Sequence, residues 1–148
     1  MPKNNRSIII GIDGVPFRLI EEFTSGGIMP NTKKIIDNGT FKKMKSTIPA
    51  ISSVSWSTIF TGENPGKHGV FGFTDLVPNT YTVSFPNYKS LQADPFWDKR
   101  DEDYHVVINV PFTYPAPELN GKLVSGFVAP ELSKAVYPDS LKSELKEM

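Results

Sequence analysis

The chain has no cysteine and two histidines, and its 16 basic side chains are balanced by 16 acidic ones. Without cysteine there is no disulfide, thiolate zinc site, thiol nucleophile or thiol redox chemistry. Two histidines cannot build a His-rich metal cluster. A formal charge of zero gives no overall field to gather polyanions, so nucleic acid is not the expected partner. Long apolar runs are missing too. The longest near the start, Ile8-Ile9-Ile10, is too short for a signal segment or a membrane span. No membrane association is expected, and the cytoplasm is the default address.

What is present suits a folded domain. The chain has 148 residues, with 39% hydrophobic and 22% charged side chains. Area scaling gives roughly 7,500 Å² of folded surface against roughly 24,000 Å² for the extended chain, enough burial for a real core. Thirteen prolines fall mostly in the inferred connections. Residues 7–12 form a β-branched run ending at Asp13-Gly14 and predict a buried strand of a parallel sheet. Helices are predicted from Pro16 to about Gly26, with Phe17, Leu19, Ile20 and Phe23 inward, and over residues 30–37, with Ile35 and Ile36 inward. Residues 41–47 and 81–85 read as strands. A helix capped by Ser52 or Ser53 runs to about Phe60 and closes at Thr61-Gly62. Residues 63–69 read as a loop, 95–99 as a helical turn, 105–110 and 122–128 as buried strands, and 140–148 as a helix. Strands alternating with helices predict an α/β fold with a mostly parallel sheet between helices.

Three features can carry chemistry. Asp13, at the tip of the first predicted strand, is placed where open α/β sheets bind ligands, and a carboxylate there can hold a cation. Asp-Gly is equally a common turn dipeptide. The cluster Ser52, Ser53, Ser55 and Ser57 opens a helix, where free N–H groups and the dipole favour a phosphate or an oxyanion. Serine also caps helices for structural reasons alone. A nucleophilic serine needs a base or a metal to activate it, and neither histidine has a context that singles it out. The loop Gly62-Glu63-Asn64-Pro65-Gly66-Lys67-His68-Gly69 is not a phosphate loop, because its spacing is one residue short and His68 follows the lysine. His68 reads as a hydrogen-bonding loop residue. Gly11-Ile12-Asp13-Gly14 fails the dinucleotide fingerprint. Lys33, Lys34, Lys42, Lys43 and Lys45 read as a solvated basic face, and residues 98–103 as an exposed charged loop.

Read together, these pieces resemble the N-terminal part of the type I phosphodiesterase/nucleotide pyrophosphatase family of the alkaline phosphatase superfamily. The resemblance rests on Gly11-Ile12-Asp13-Gly14, Pro30-Asn31-Thr32, Ile48-Pro49-Ala50-Ile51-Ser52-Ser53-Val54-Ser55-Trp56 and Thr61-Gly62-Glu63-Asn64-Pro65-Gly66-Lys67-His68-Gly69. Asn109-Val110-Pro111-Phe112-Thr113-Tyr114-Pro115 and Asn120-Gly121-Lys122-Leu123-Val124-Ser125-Gly126 resemble segments of a prokaryotic branch. The resemblance implies that Asp13 is a metal ligand. It implies that Ser52, ten residues before Gly62, is the nucleophile and a metal ligand, with Ser53 as the adjacent rival. A phosphoserine intermediate would form and be hydrolysed by water. Two divalent ions are implied, zinc foremost, with manganese or magnesium as alternatives, and a small phosphate mono- or diester as substrate.

Two departures qualify this. Nucleotide pyrophosphatases carry a phosphoryl-contacting Asn three residues after the nucleophile, where this chain has Ser55. The family's other ligands, two Asp and three His, lie further toward the C-terminus, and this chain has only two His in all. The resemblance therefore implies that residues 1–148 are the N-terminal portion of a single catalytic domain, with an incomplete site and little activity alone. Sulfatases are disfavoured by the missing Cys and by the residues after Ser52. Phosphoglycerate mutases share a serine nucleophile, but their sequence after it is less similar. The rival reading is a non-catalytic α/β fragment that binds phosphate or metal without turnover.

Overall fold

The computed structural model describes residues 6–146. The chain divides into two compact units, residues 1–45 and 46–148. Each is built from its own segments.

The first unit holds two helices, α1 (Phe17–Ser25) and α2 (Pro30–Asp37). Both follow the expected bounds. Pro16 precedes α1 and Gly26 ends it, while Pro30 opens α2, where its missing N–H costs nothing. Phe17 stacks on Phe41 at 4.4 Å. Residues 7–12 join no sheet, and Ile8, Ile9, Ile10 and Ile12 are exposed. The expected buried first strand is therefore absent from the described structure. A β-branched run states only a backbone preference; a strand needs a hydrogen-bonded neighbour, and among the described residues none pairs with this run. Residues 41–47 form no strand either. Ile35 is exposed and only Ile36 is partly buried, so α2 turns one isoleucine away from its packed side. Lys33, Lys34, Lys42, Lys43 and Lys45 are all exposed, as a solvated face requires.

The second unit carries the main core. Its helices are α3 (Ser52–Thr61), α4 (Pro65–His68), α5 (Phe96–Lys99), α6 (Leu132–Ala135) and α7 (Leu141–Lys146). Met148, at the end of the predicted last helix, lies outside the described residues. The strands are β1 (Asp75–Leu76), β2 (Val83–Ser84), β3 (His105–Val110), β4 (Gly121–Ser125) and β5 (Val136–Tyr137). β1 and β2 form an antiparallel ribbon, so the strand expected over 81–85 shrinks to two residues, and Tyr81 is fully exposed. β3 pairs parallel to β4, and β4 antiparallel to β5. The fold is α/β as expected. Its longest ladder is parallel, but the sheet is mixed. β3 alternates rather than being buried throughout: Val107 is inward while Val106 and Ile108 are exposed.

The core gathers Phe60, Val70, Trp97, Val107, Phe112 and Leu123 from α3, α5, β3, β4 and their connections. Phe60 and Trp97 meet at 5.2 Å, a separation at which aromatic pairs add to area burial. Among the described residues no helix is long and apolar enough to cross a membrane.

The β3–β4 ladder starts at the pair His105 and Gly121. Gly121 has φ +152°, and a Cβ there would lie 1.8 Å from the His105 carbonyl oxygen. Only glycine lets the strands meet at this register. We expect Gly121→Ala to destabilise the second unit by more than ~1 kcal/mol. A fall in the urea midpoint of that unit checks this, and an unchanged midpoint would show that the ladder tolerates the added methyl.

Candidate functional site

Helix α3 has a composition that does not favour helix. Its sequence is SSVSWSTIFT, made of residues that lose rotamer freedom or compete for backbone bonds. Burial supplies what propensity does not. Val54 and Phe60 are inward, and so are the small hydroxyl side chains of Ser53, Ser57 and Thr61, which occupy one face at helical spacing.

Both ends of α3 are defined by specific bonds. At the C-terminus Gly62 takes the left-handed conformation, φ +71°, and its N–H donates to the Thr58 carbonyl at 2.9 Å. That arrangement closes the helix, as the Thr61-Gly62 signal predicts. Lys99 Nζ on α5 donates to the Thr61 carbonyl at 2.7 Å, a cation at the negative end of the helix dipole. At the N-terminus the expected serine cap is not found. Ile51 is the N-cap and no side chain caps the turn. The helix begins one residue earlier than a serine cap requires, making Ser52 and Ser53 its first two residues. Ser52 is half-buried and Ser53 is buried. Ser55 Oγ lies 2.9 Å from Thr47 Oγ1, and Thr47 Oγ1 donates to the Pro49 carbonyl at 2.8 Å.

His68 is fully buried at the end of α4. Its Nδ1 accepts the Val70 N–H at 3.1 Å, and its Nε2 lies 2.9 Å from Thr58 Oγ1 on α3. Because Nδ1 accepts, the proton of the neutral ring sits on Nε2 and is donated to Thr58. Burial pushes the His68 pKa below its ordinary value. His68 thus ties α4 to α3 as a hydrogen-bonding residue, the role its loop context suggests. Residues 63–69 are not all loop, since Pro65–His68 makes one helical turn. His105 belongs elsewhere, its Nε2–H donating to the Arg100 carbonyl at 2.8 Å.

Asp13 lies in a turn with Gly14, in the first unit, and is exposed. Ser52 belongs to the second unit. Among the described residues no group of three or more His, Asp or Glu side chains is gathered that could hold a metal ion. A cleft of about 520 Å³ in the second unit is lined by Tyr88, Pro115, Lys134 and Tyr137 among others, and does not include α3. Nearby, Trp97 Nε1–H donates to the Tyr88 hydroxyl, which donates to Asp98, each at 3.3 Å. Burial raises the pKa of both Tyr88 and Asp98, a network that supports Trp97 in the core. Sequence reasoning missed Thr47 and Lys99. Thr47 sits in a polar stretch that reads as strand, and Lys99 within the run 98–103 that reads as exposed charge.

Two expectations follow. Below the ordinary histidine value of 6.5 the unfolded chain takes up a proton that buried His68 resists, so stability falls as the pH drops through that value. Wild type should lose stability between about pH 7.5 and 5.5, and His68→Gln should lose much less over the same range. Equal losses, read from urea midpoints, would show that other groups carry the dependence. The buried hydroxyls of Ser53 and Ser57 have no hydrogen-bond partner among the described residues. An unpartnered buried hydroxyl costs about 1–3 kcal/mol, so Ser57→Ala should keep or raise the thermal midpoint. A clear fall would reveal a partner for Ser57.

Comparison with known proteins adds the family. No curated protein and no solved structure matches the chain. The family model described as type I phosphodiesterase/nucleotide pyrophosphatase matches residues 7–145, a span that takes in Asp13, the whole of α3 and both β3 and β4. With nearly its full length matched, the chain belongs to the type I phosphodiesterase/nucleotide pyrophosphatase family.

Proposed function

We propose that the protein is a phosphoester hydrolase acting on small phosphate mono- or diesters, with Ser52 as nucleophile. The family match supports a phosphodiesterase or pyrophosphatase type of activity. The observation that carries the finer reading is the position of Ser52 as the first residue of α3. A first-turn hydroxyl stands beside backbone N–H groups that have no carbonyl partner within the helix, at the positive end of its dipole. Those groups suit the oxygens of a bound phosphoryl group. Ser52 Oγ would attack phosphorus and give up its proton, and the ester oxygen would leave with the bonding pair and take up a proton; a monoester would give a phosphoserine, and a diester a phosphoserine that still carries its second ester group. Water would then attack the same phosphorus, releasing phosphate from a monoester or the remaining monoester from a diester and restoring the hydroxyl.

We further propose that Asp13 and Ser52 each act as ligands of divalent ions, zinc foremost and manganese or magnesium as alternatives. Such an ion lowers the pKa of a coordinated hydroxyl. Among the described residues no group of three or more His, Asp or Glu side chains is gathered, so the proposed site needs donors beyond Asp13 and Ser52. Ser53, the adjacent rival, is buried with its hydroxyl inside the protein, which favours half-buried Ser52 as the reactive group.

The test is turnover of a chromogenic phosphodiester by the intact enzyme with zinc or manganese. Ser52→Ala should lower kcat by at least a thousandfold, as loss of a nucleophile does, while circular dichroism and the thermal midpoint stay close to wild type. Retained turnover in that variant would refute the assignment, as would loss of turnover in Ser53→Ala alone.

A further inference from the structure

The bond between Thr47 and Ser55 has a direction that can be worked out. A hydroxyl has one proton and two lone pairs. The Pro49 carbonyl can only accept, so Thr47 Oγ1, at 2.8 Å, gives it its proton. At the 2.9 Å contact between the two hydroxyls, Ser55 must then be the donor and Thr47 the acceptor. Thr47 is saturated on its donor side and Ser55 has used its only proton.

Two consequences follow. First, the bonds join residue 47 to residues 49 and 55, and enclose the segment that carries Ser52. Ser55 also anchors the turn through its backbone, its N–H donating to the Ile51 carbonyl at 2.9 Å. The approach to α3 and the first turn of α3 are thus locked together on both sides of Ser52. Both hydroxyls are half-buried, which shields the bond from competing water. Second, Ser55 offers only lone pairs to anything else. Facing a phosphoryl oxygen, lone pairs repel, so Ser55 in this arrangement cannot donate to a bound phosphate as an Asn side chain at the same position would.

We propose that Thr47 is a positioning residue for Ser52: with Ser55 it forms a hydroxyl clamp that fixes the turn carrying the nucleophile, and Ser55 does not bind the phosphoryl group. The proposal rests on the reading of Ser52 as nucleophile, and on the geometry of the clamp independently of it.

The experiment compares wild type with Thr47→Val, Thr47→Ser, Ser55→Ala and the double variant T47V/S55A. Amide hydrogen exchange over residues 51–55 is read without substrate, and kcat and KM are read with a chromogenic phosphodiester and zinc. Ser55→Ala should speed exchange in the first turn about fivefold, as loss of one net hydrogen bond does, and Thr47→Val, which also removes the bond to the Pro49 carbonyl, at least as much. The double variant should be no faster than Thr47→Val, in which the Ser55 bond is already lost. kcat should fall about tenfold in both single variants with KM nearly unchanged, since misplacing a nucleophile affects the reacting geometry. Thr47→Ser should restore exchange and kcat together. A raised KM in Ser55→Ala with wild-type behaviour in Thr47→Val would overturn the proposal and make Ser55 a direct phosphoryl contact. Faster exchange with kcat unchanged would reduce the clamp to a structural bond and overturn the positioning role. Wild-type exchange in every variant would remove the clamp itself. Absence of turnover in the intact enzyme with its full ligand set would instead defeat the hydrolase reading, while the exchange data still decide whether the clamp exists.

Discussion

The whole candidate site hangs on how α3 is held. Ten residues of serine, threonine, β-branched and aromatic type would not form a stable helix in water. The helix persists because Val54 and Phe60 are buried, because Lys99 and Gly62 satisfy its C-terminal carbonyls, and because the Thr47–Ser55 bond ties down its first turn. Each anchor comes from a different part of the second unit. The position of one serine at the helix start is thus a property of the fold, set by the core, by α5 and by the segment that leads into the helix.

That construction explains why the buried face of α3 is built from small hydroxyl residues. Ser53, Ser57 and Thr61 leave room for close packing, and Thr61 returns its proton to the Ser57 carbonyl at 2.6 Å. The unpartnered hydroxyls of Ser53 and Ser57 are a cost that an apolar face of alanines would not carry. His68 adds a further constraint. It is a neutral ring with both nitrogens committed, linking α4 to the middle of α3. The geometry favours one protonation state, and protonating Nδ1 would set two donors against each other.

Much of this was legible in the residues. Proline before or at the first turn marked the starts of α1 and α2, Gly26 marked the end of α1, and Gly62 marked the end of α3, because these signals act through local backbone geometry. The bounds of β3 were readable from a β-branched run between His105 and Pro111. The run at Ile8-Ile9-Ile10 gave the same local signal and yet joins no sheet, since pairing depends on a neighbour that composition does not name. The serine cap failed by one residue for a related reason. Ile51 takes the cap position, and serine propensity cannot say which residue the preceding chain will place there. The Thr47–Ser55 bond was not legible at all, because a contact eight residues apart across a bend leaves no periodic trace. The sequence also put Asp13 at a strand tip, whereas it lies in an exposed turn with Gly14. The family match spans that turn and α3 alike, so Asp13 enters the proposed chemistry through kinship rather than through a strand.

The most direct test of the central claim is to trap the covalent intermediate. The enzyme is mixed with a phosphodiester and zinc, quenched in acid within the first turnover, and digested for mass spectrometry. The account predicts on Ser52, and on no neighbouring hydroxyl, a phosphoryl group that still carries the substrate's second ester group. The same adduct on Ser53, or steady turnover with no adduct on the peptide that contains α3, would contradict it.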